Sequence, residues 1–223
     1  MASGAWDESP PRPAAASPSS LEATTDVDLL KRVWRNEKES PEILRFESEL
    51  VHRAREQIQL LEETVEEFRE NSVDDLVVSL YQMDLDRTLY LLRSYLRIRL
   101  QKIEKYMIHI AKTNLWNLLS EQEQKFAKRC TDIMEKHLEQ SVLSRLPYGY
   151  QSILKQSISS EEDDMVPEPQ VDTFVFCKAK CDIGAIQLDD TGGEILDLVA
   201  DDLYVLRYKS IKGLVESGQI DLV

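Results

Sequence analysis

The chain has 223 residues, of which 42% are hydrophobic, and its 41 acidic and 27 basic side chains give a formal charge of −14. That hydrophobic share can build one or two domains with real cores, so the composition excludes a disordered chain. The negative charge excludes non-specific attraction to nucleic-acid phosphates over the whole surface. Any contact with nucleic acid is therefore expected to be local.

The cysteines and the first residues predict a cytosolic or nuclear protein without a membrane segment. Cys130, Cys177 and Cys181 form neither an even set for disulfides nor a quartet of metal ligands, which is typical of a reducing compartment. The start of the chain lacks the apolar core of a signal peptide. No stretch reaches the roughly 18 consecutive apolar residues that a membrane span requires.

A disordered arm followed by four helices is predicted for the first two thirds of the chain. Residues 1–20 hold four of the eight prolines together with Ala and Ser, and this mixture buries too little apolar area to offset the chain entropy. Ser120 and Glu123 form a capping-box pattern at the start of the last helix. The helices are predicted at 26–38, 41–70, 74–111 and 120–146, with a loop at 112–119.

Helix three carries more apolar surface than one neighbouring helix can cover. Its second stripe, formed by Leu91, Tyr95 and Ile98, lies on a different side from its first. Because apolar stripes on two sides of a helix need two packing partners, the pattern favours a subunit of an assembly. The first stripe consists of Leu85, Leu89, Leu92, Leu96, Ile103, Met107 and Ile110.

Basic side chains cluster on helix three between Arg87 and Lys105, whereas the flanks of helix two are acidic. Two explanations are open. Internal ion pairs across an antiparallel hairpin are the explanation that we favour, and a phosphate-binding patch is the other. The second defines our alternative function, a nucleic-acid-binding helical module that uses the basic face from Arg87 to Lys105.

The last third of the chain changes from helical to strand-like periodicity. Residues 148–170 have the composition of a linker, with a possible short helix at 151–156. Short β-rich runs follow at 171–178, 183–188, 194–199 and 201–208, and then a helical turn at 210–216 and a final segment at 219–223. The predicted fold class is therefore α+β, with an N-terminal all-α helical bundle domain at 21–147 and a small C-terminal β-rich domain at 171–223.

The sequence shows no catalytic, cofactor or metal motif. His52, His109 and His137 lie on different predicted helices without partners at ligand spacing, so we interpret them as surface or boundary histidines. Glycine-rich phosphate loops and nucleophile elbows are absent from the sequence. We predict a protein that is not an enzyme and that needs no cofactor.

Several strings in this order resemble the GINS family of replication proteins, and among its four paralogous subunits the Sld-five type. The helical strings are WRNEK at 34–38, SPEIL at 40–44, SYLRIRL at 94–100 and KIEKY at 102–106. The tail adds LRYKSI at 206–211 and LVESGQIDLV at 214–223. The resemblance runs from about residue 21 to the C-terminus, and the order of helical domain followed by β domain agrees with it.

The resemblance implies a nuclear, non-catalytic subunit of a heterotetramer formed with three paralogous GINS subunits. That tetramer joins the MCM hexamer and the Cdc-forty-five protein in the replicative helicase, where it is a scaffold for initiation and elongation of DNA replication and connects the helicase to polymerases. The family's GINS subunits hydrolyse nothing. DNA contact is expected to be local at most.

Large aromatic side chains and arginines dominate interface energies, and this rule selects our predicted subunit interface. For Trp34 and Leu96, a place in the internal core is an equally good explanation. In the β domain, the predicted contacts are made with the helical domain of this or of a neighbouring subunit. The predicted interface residues are Trp34, Arg93, Tyr95, Leu96, Arg97, Ile98, Arg99 and Tyr106 in the helical domain, and Tyr208, Leu214 and Ile220 in the β domain.

Overall fold

The structure is a computed structural model that describes residues 25–187 and 195–223. The predicted disordered arm at 1–20 and a predicted turn at 189–193 lie outside the described residues. Within the described part, helices occupy the N-terminal two thirds and short strands follow. The α+β fold class is confirmed.

Four α-helices build the N-terminal part, and local capping explains where three of them begin. The side chain of Thr25 accepts the amide of Asp28 before the first helix, and Asp74 accepts that of Leu76 before the third. Ser120 and Glu123 form the predicted capping box. The helices are α1 Asp26–Glu39, α2 Ser48–Glu70, α3 Asp75–Lys112 and α4 Glu121–Ser141, with 3-10 helices at Leu115–Leu118 and Leu143–Arg145.

The predicted start of helix two at Pro41 is wrong, because residues 41–47 form an extended segment. In this 41–47 segment the carbonyl of Leu44 accepts from Arg99 Nη1 at 2.7 Å, and the carbonyl of Glu42 accepts from Lys102 Nζ at 2.8 Å. An α-helix would commit both carbonyls to amides four residues later. The extended conformation leaves them free for the two cations of α3.

The end predicted for helix four and the short helix predicted at 151–156 are also wrong. The chain tightens into a 3-10 turn after Ser141, ahead of Pro147, whose missing N–H cannot continue an α-helix. Residues 151–156 form bends. There the hydroxyl of Ser152 accepts the amide of Leu154 at 3.1 Å, a local bond that competes with helix formation.

Helix α3 is shared between two separate cores. Its N-terminal half packs against α1 and α2, where Leu85, Leu92 and Tyr95 are buried. Its C-terminal half buries Ile103 and Ile110 against the 41–47 segment, the first 3-10 helix and α4. Most of the predicted first stripe of α3 is therefore core, as the heptad-like spacing indicated.

The β domain is a three-stranded antiparallel sheet of order β4-β1-β5, a two-stranded sheet of β2 and β3, and one helix. Alternate residues of β1 are buried, and Cys177 and Ala179 pack on Tyr208 and Ile211 of α5. Tyr208 begins α5, so its predicted place in a strand is wrong. The elements are β1 Phe174–Ala179, β2 Gly184–Gln187, β3 Ile195–Leu198, β4 Leu203–Arg207, α5 Tyr208–Glu216 and β5 Ile220–Leu222.

Searches for a membrane span and for a metal site return nothing over residues 25–187 and 195–223. None of the described helices is both long and apolar enough to cross a bilayer. In the same part of the chain, no three His, Cys, Asp or Glu side chains converge as metal ligands. Cys130, Cys177 and Cys181 are all free thiols.

Candidate interaction surface

A buried arginine of α3 joins the elements of the helical domain. The side chain of Arg99 is fully buried, and its Nε and Nη2 atoms donate to the two oxygens of Glu123 at 2.8 and 3.1 Å. Its Nη1 donates to Glu37 at 2.9 Å and to the Leu44 carbonyl, and Nη2 also donates to the Leu118 carbonyl at 3.0 Å. All five guanidinium N–H groups therefore have acceptors, which is the condition for burying a charge of this size.

The electrostatics of this cluster favour the charged arginine. Burial on its own would lower the pKa of Arg99, but the hydrogen bonds from Glu123 and the charge of Glu37 outweigh it and raise the pKa. Lys102 lies beside Glu37, with its Nζ 3.0 Å from a carboxylate oxygen. For Lys102 burial prevails over the attraction of Glu37, and its pKa is lowered. The cluster contains no vacant acceptor for a ligand, so its role is structural.

Two aromatic rings enclose the guanidinium of Arg99. Its Cζ lies 5.3 Å from the centre of the Phe46 ring and 5.7 Å from that of Tyr95, within the range of cation–π attraction. The two rings stack at 6.3 Å. Burial raises the pKa of the Tyr95 hydroxyl, which accepts the backbone amide of Glu47. Tyr95 is thus part of the internal support for the 41–47 segment.

A continuous stripe along the outside of α3 has no cover within the described chain. Its apolar members follow at spacings of four, three and seven residues, which places them on one side of the helix, and Tyr90 is 63% exposed. In the described structure neither of its two arginines has a carboxylate partner. We call this set the α3 stripe, and it consists of Leu76, Leu80, Met83, Tyr90, Arg93 and Arg97.

A groove continues the exposed surface of α3 toward α2 and α4. It has a volume of about 560 Å³ and an apolar floor that includes Phe46, Leu92 and Leu96. His52 and Arg55 lie at one side of the groove, and Glu121 lies at the other. A shape of this kind fits an apolar side chain of a protein partner better than a reacting small molecule, because none of its lining groups converges as an acid and base pair.

The β domain packs on the helical domain of the same chain through its last strand. Asn36 of α1 accepts the backbone amide of Leu222 at 2.7 Å and donates to Asp221 at 3.4 Å. Asp221 also pairs with Arg32 of α1 at 3.2 Å. The hydroxyl of Tyr208 donates to Glu42 at 3.0 Å. Helix α1 thereby covers an edge of the sheet that would otherwise present unpaired backbone groups.

Comparisons with known proteins bear on both halves of this structure. Residues 55–142 match the family model described as GINS complex protein helical bundle domain, and residues 169–223 match that described as DNA replication complex GINS protein SLD5 C-terminus. The DNA replication complex GINS protein SLD5 of Arabidopsis thaliana is 55% identical over 212 residues, which are 94% of this chain and 96% of the relative. The chain belongs to the SLD5 family.

More distant SLD5 proteins extend the same match. The SLD5 protein of Rattus norvegicus is 33% identical over 207 residues, covering 88% of each chain. That of Dictyostelium discoideum is 30% identical over 203 residues, covering 88% of this chain and 91% of the relative. The predicted membership of the GINS family is confirmed, and the coverage spans the helical and the β part together.

In this SLD5-family chain, five of the eleven predicted interface residues are buried by the chain itself. Arg99 makes its salt links internally, and Tyr208 and Ile220 pack between the β domain and its own helical domain or core. Trp34, Leu96, Ile98 and Leu214 are half-buried, and the Trp34 indole donates to Ser94 at 2.9 Å. The five buried residues are Tyr95, Arg99, Tyr106, Tyr208 and Ile220.

The expectation that the basic cluster of α3 pairs with acidic α2 is wrong for the described ion pairs. Arg99 and Lys102 pair with α1 and α4, and Arg87 pairs within α3 with Asp84 at 3.8 Å. Because Arg99 and Lys102 are buried or nearly so, the basic face proposed for nucleic acid loses two of its cations. Arg93 and Arg97 remain exposed.

Sequence reasoning missed most of the apolar part of the α3 stripe and one face of the β sheet. The stripe was detectable, because Leu76, Leu80 and Met83 recur at helical spacing before the first predicted stripe begins. On the sheet, Phe174 and Phe176 of β1 are 67% and 56% exposed on the side opposite to α5. Their alternation with buried residues was the available signal.

The Asn36 contact gives a prediction for the attachment of the β domain. Asn36→Ala removes the acceptor of the buried Leu222 amide, and we expect it to lower the free energy of unfolding by about 2 kcal/mol. Guanidinium-induced unfolding followed by circular dichroism measures the change. Arg35→Ala is the matched control, since Arg35 is the exposed neighbour on α1. Equal stability of the two variants would contradict the contact.

Proposed function

We propose that this chain is a non-catalytic subunit of a heterotetramer formed with three related GINS subunits. The α3 stripe is the observation that carries the proposal. It gives an exposed path about 30 Å long, apolar at its N-terminal end and basic at its C-terminal end. Exposed apolar patches of this extent on a folded chain mark contacts with other proteins.

The two ends of the α3 stripe suit different contacts with a sister subunit. Leu76, Leu80 and Met83 are suited to pack against an apolar helix face, and Arg93 and Arg97 to pair with acidic side chains on the same partner. Of the interface residues predicted from the sequence, we retain Trp34, Arg93, Leu96, Arg97, Ile98 and Leu214, all of which are at least partly exposed. The exposed sheet face around Phe176 offers a second contact.

Within the replicative helicase, we propose that the tetramer works as a scaffold in the nucleus, together with the MCM hexamer and the Cdc-forty-five protein, and links them indirectly to polymerases. The printed names of the SLD5 relatives, which place them in a DNA replication complex, support this role. We assign the domains to 21–147 and 171–223, joined by the linker at 148–170. The chain's net charge of −14 supports a role in which DNA contact is local at most.

The test is the mass of the particle that forms with and without the sister subunits. The full chain is expressed alone and together with the three other GINS subunits, and light scattering after size exclusion gives the mass. We expect a soluble 1:1:1:1 complex on co-expression, and self-association or aggregation of the chain alone, because the α3 stripe then has no cover. A stable monomer that ignores the three subunits contradicts the proposal.

A further inference from the structure

The linker contains a serine that is followed directly by four carboxylates. Ser160 precedes Glu161, Glu162, Asp163 and Asp164, all of which are exposed. We propose that Ser160 is a phosphorylation site for a protein kinase that selects serines followed by acidic residues. Such a kinase presents a basic groove to its substrate, and the carboxylates supply the complementary charge. This inference is independent of the assembly proposed above.

The surroundings of Ser160 are suited to hold the product. Lys155 Nζ lies 3.2 Å from the Ser160 carbonyl oxygen, which is its hydrogen-bond partner. Among the described residues, no carboxylate lies within ion-pair distance of Lys155, so its charge is available for a new anion. A phosphate on the Ser160 hydroxyl would reach this ammonium with little movement, since the carbonyl and hydroxyl belong to one residue. Charge-assisted bonds of this kind order a phosphorylated loop.

The reaction is an ordinary phosphoryl transfer from ATP. Ser160 Oγ attacks the terminal phosphorus, an oxygen–phosphorus bond forms, and the bond to the bridging oxygen of ADP breaks. The hydroxyl proton passes to the catalytic base of the kinase. The hydroxyl now donates to Asp164 at 3.1 Å, and this bond is lost when the proton leaves.

Phosphorylation is expected to rearrange the linker around Asp164. This carboxylate accepts both the Ser160 hydroxyl and, at 2.7 Å, the backbone amide of Gln156. A phosphate adds about −1.5 to −2 charges beside it, so the like charges repel and the Gln156 bond is weakened. The ion pair between Lys112 and Asp163 ties the same loop to the end of α3. The modification therefore acts at the point where the linker meets the helical domain.

The experiment uses the full chain, Mg-ATP and a purified acidophilic serine/threonine kinase, with phosphopeptide mass spectrometry to locate the phosphate. We expect phosphate on Ser160, and a rate lower by about tenfold or more in the Glu161→Gln/Glu162→Gln double variant, because the attraction to the kinase is reduced. In the described structure, these two exposed side chains make no hydrogen bond or ion pair, so the double variant leaves the fold unchanged. Ser152 is an internal control, since it is exposed in the same linker but has Lys155 as its third following residue.

Each outcome decides the proposal. Phosphate on Ser152 or Ser159 in place of Ser160, no incorporation at all, or an unchanged rate in the double variant overturns the site. Hydrogen exchange of the Gln156 amide tests the rearrangement separately, and faster exchange after phosphorylation supports it. Unchanged exchange overturns the structural effect. Ser160→Ala must abolish incorporation for the assignment to hold.

Discussion

Arg99→Ala is expected to lower the free energy of unfolding of the full chain by about 4 kcal/mol. The substitution removes a cation that is fully buried and leaves Glu37 and Glu123, which are 1% and 6% exposed, without their partner. The remaining buried negative charges carry most of the cost. Guanidinium-induced unfolding followed by far-ultraviolet circular dichroism measures the loss.

Two further variants separate this effect from a general loss of charge on α3. Arg97→Ala removes an exposed arginine two positions away and is expected to change stability by no more than about 0.5 kcal/mol. Arg99→Lys keeps the charge but loses the bidentate bond to Glu123, so its stability should fall between those of the two alanine variants. If Arg99→Ala and Arg97→Ala unfolded at the same denaturant concentration, the buried cluster would not have the role assigned to it.

Leu80→Asp combined with Tyr90→Ala is expected to weaken assembly with the sister subunits by at least about 30-fold in Kd, or about 2 kcal/mol. Both side chains are exposed in the single chain, so the double variant should keep its helicity and its own stability. The buried acid opposes association because it must lose its water in the interface. Mass after co-expression and size exclusion shows whether the tetramer forms.

The matched control for the α3 stripe lies on the neighbouring helix. Leu60 of α2 is 63% exposed and lies outside the stripe, so Leu60→Asp makes the same chemical change elsewhere on the helical domain. This control is expected to assemble like the natural chain. A 1:1:1:1 complex from the Leu80→Asp/Tyr90→Ala variant, equal in yield to that of the control, would falsify the α3 stripe as the contact.

The parts of the fold that the sequence predicts correctly are those decided by neighbouring residues. The capping box of Ser120 and Glu123 needs only a separation of three residues, and α3 follows from the spacing of its leucines and isoleucines. The 41–47 segment was predicted as helix because Pro41 suits a first helical turn. Its real conformation depends on Arg99 and Lys102, which lie 55 and 60 residues further along the chain.

The candidate surface was only partly predictable for the same physical reason. Residue type alone placed Arg99 with Arg93 and Arg97 as a surface cation, because arginine is rarely buried without partners. Its partner Glu37 lies 62 residues away, so no local pattern distinguishes it from Arg97. The aromatic Tyr95 was likewise assigned to a contact between subunits, although Phe46 and Arg99 enclose it.

The bond between Asn36 and Leu222 sets an order of events during synthesis. The two residues are separated by 186 positions, so α1 is complete long before its partner strand exists. At typical rates of translation, the interval is roughly 10 to 40 s. During that time the polar side of α1 faces solvent or a chaperone, and the nascent helical domain cannot yet have its final surface. Docking of the β domain is therefore a late, post-translational step in the maturation of this subunit.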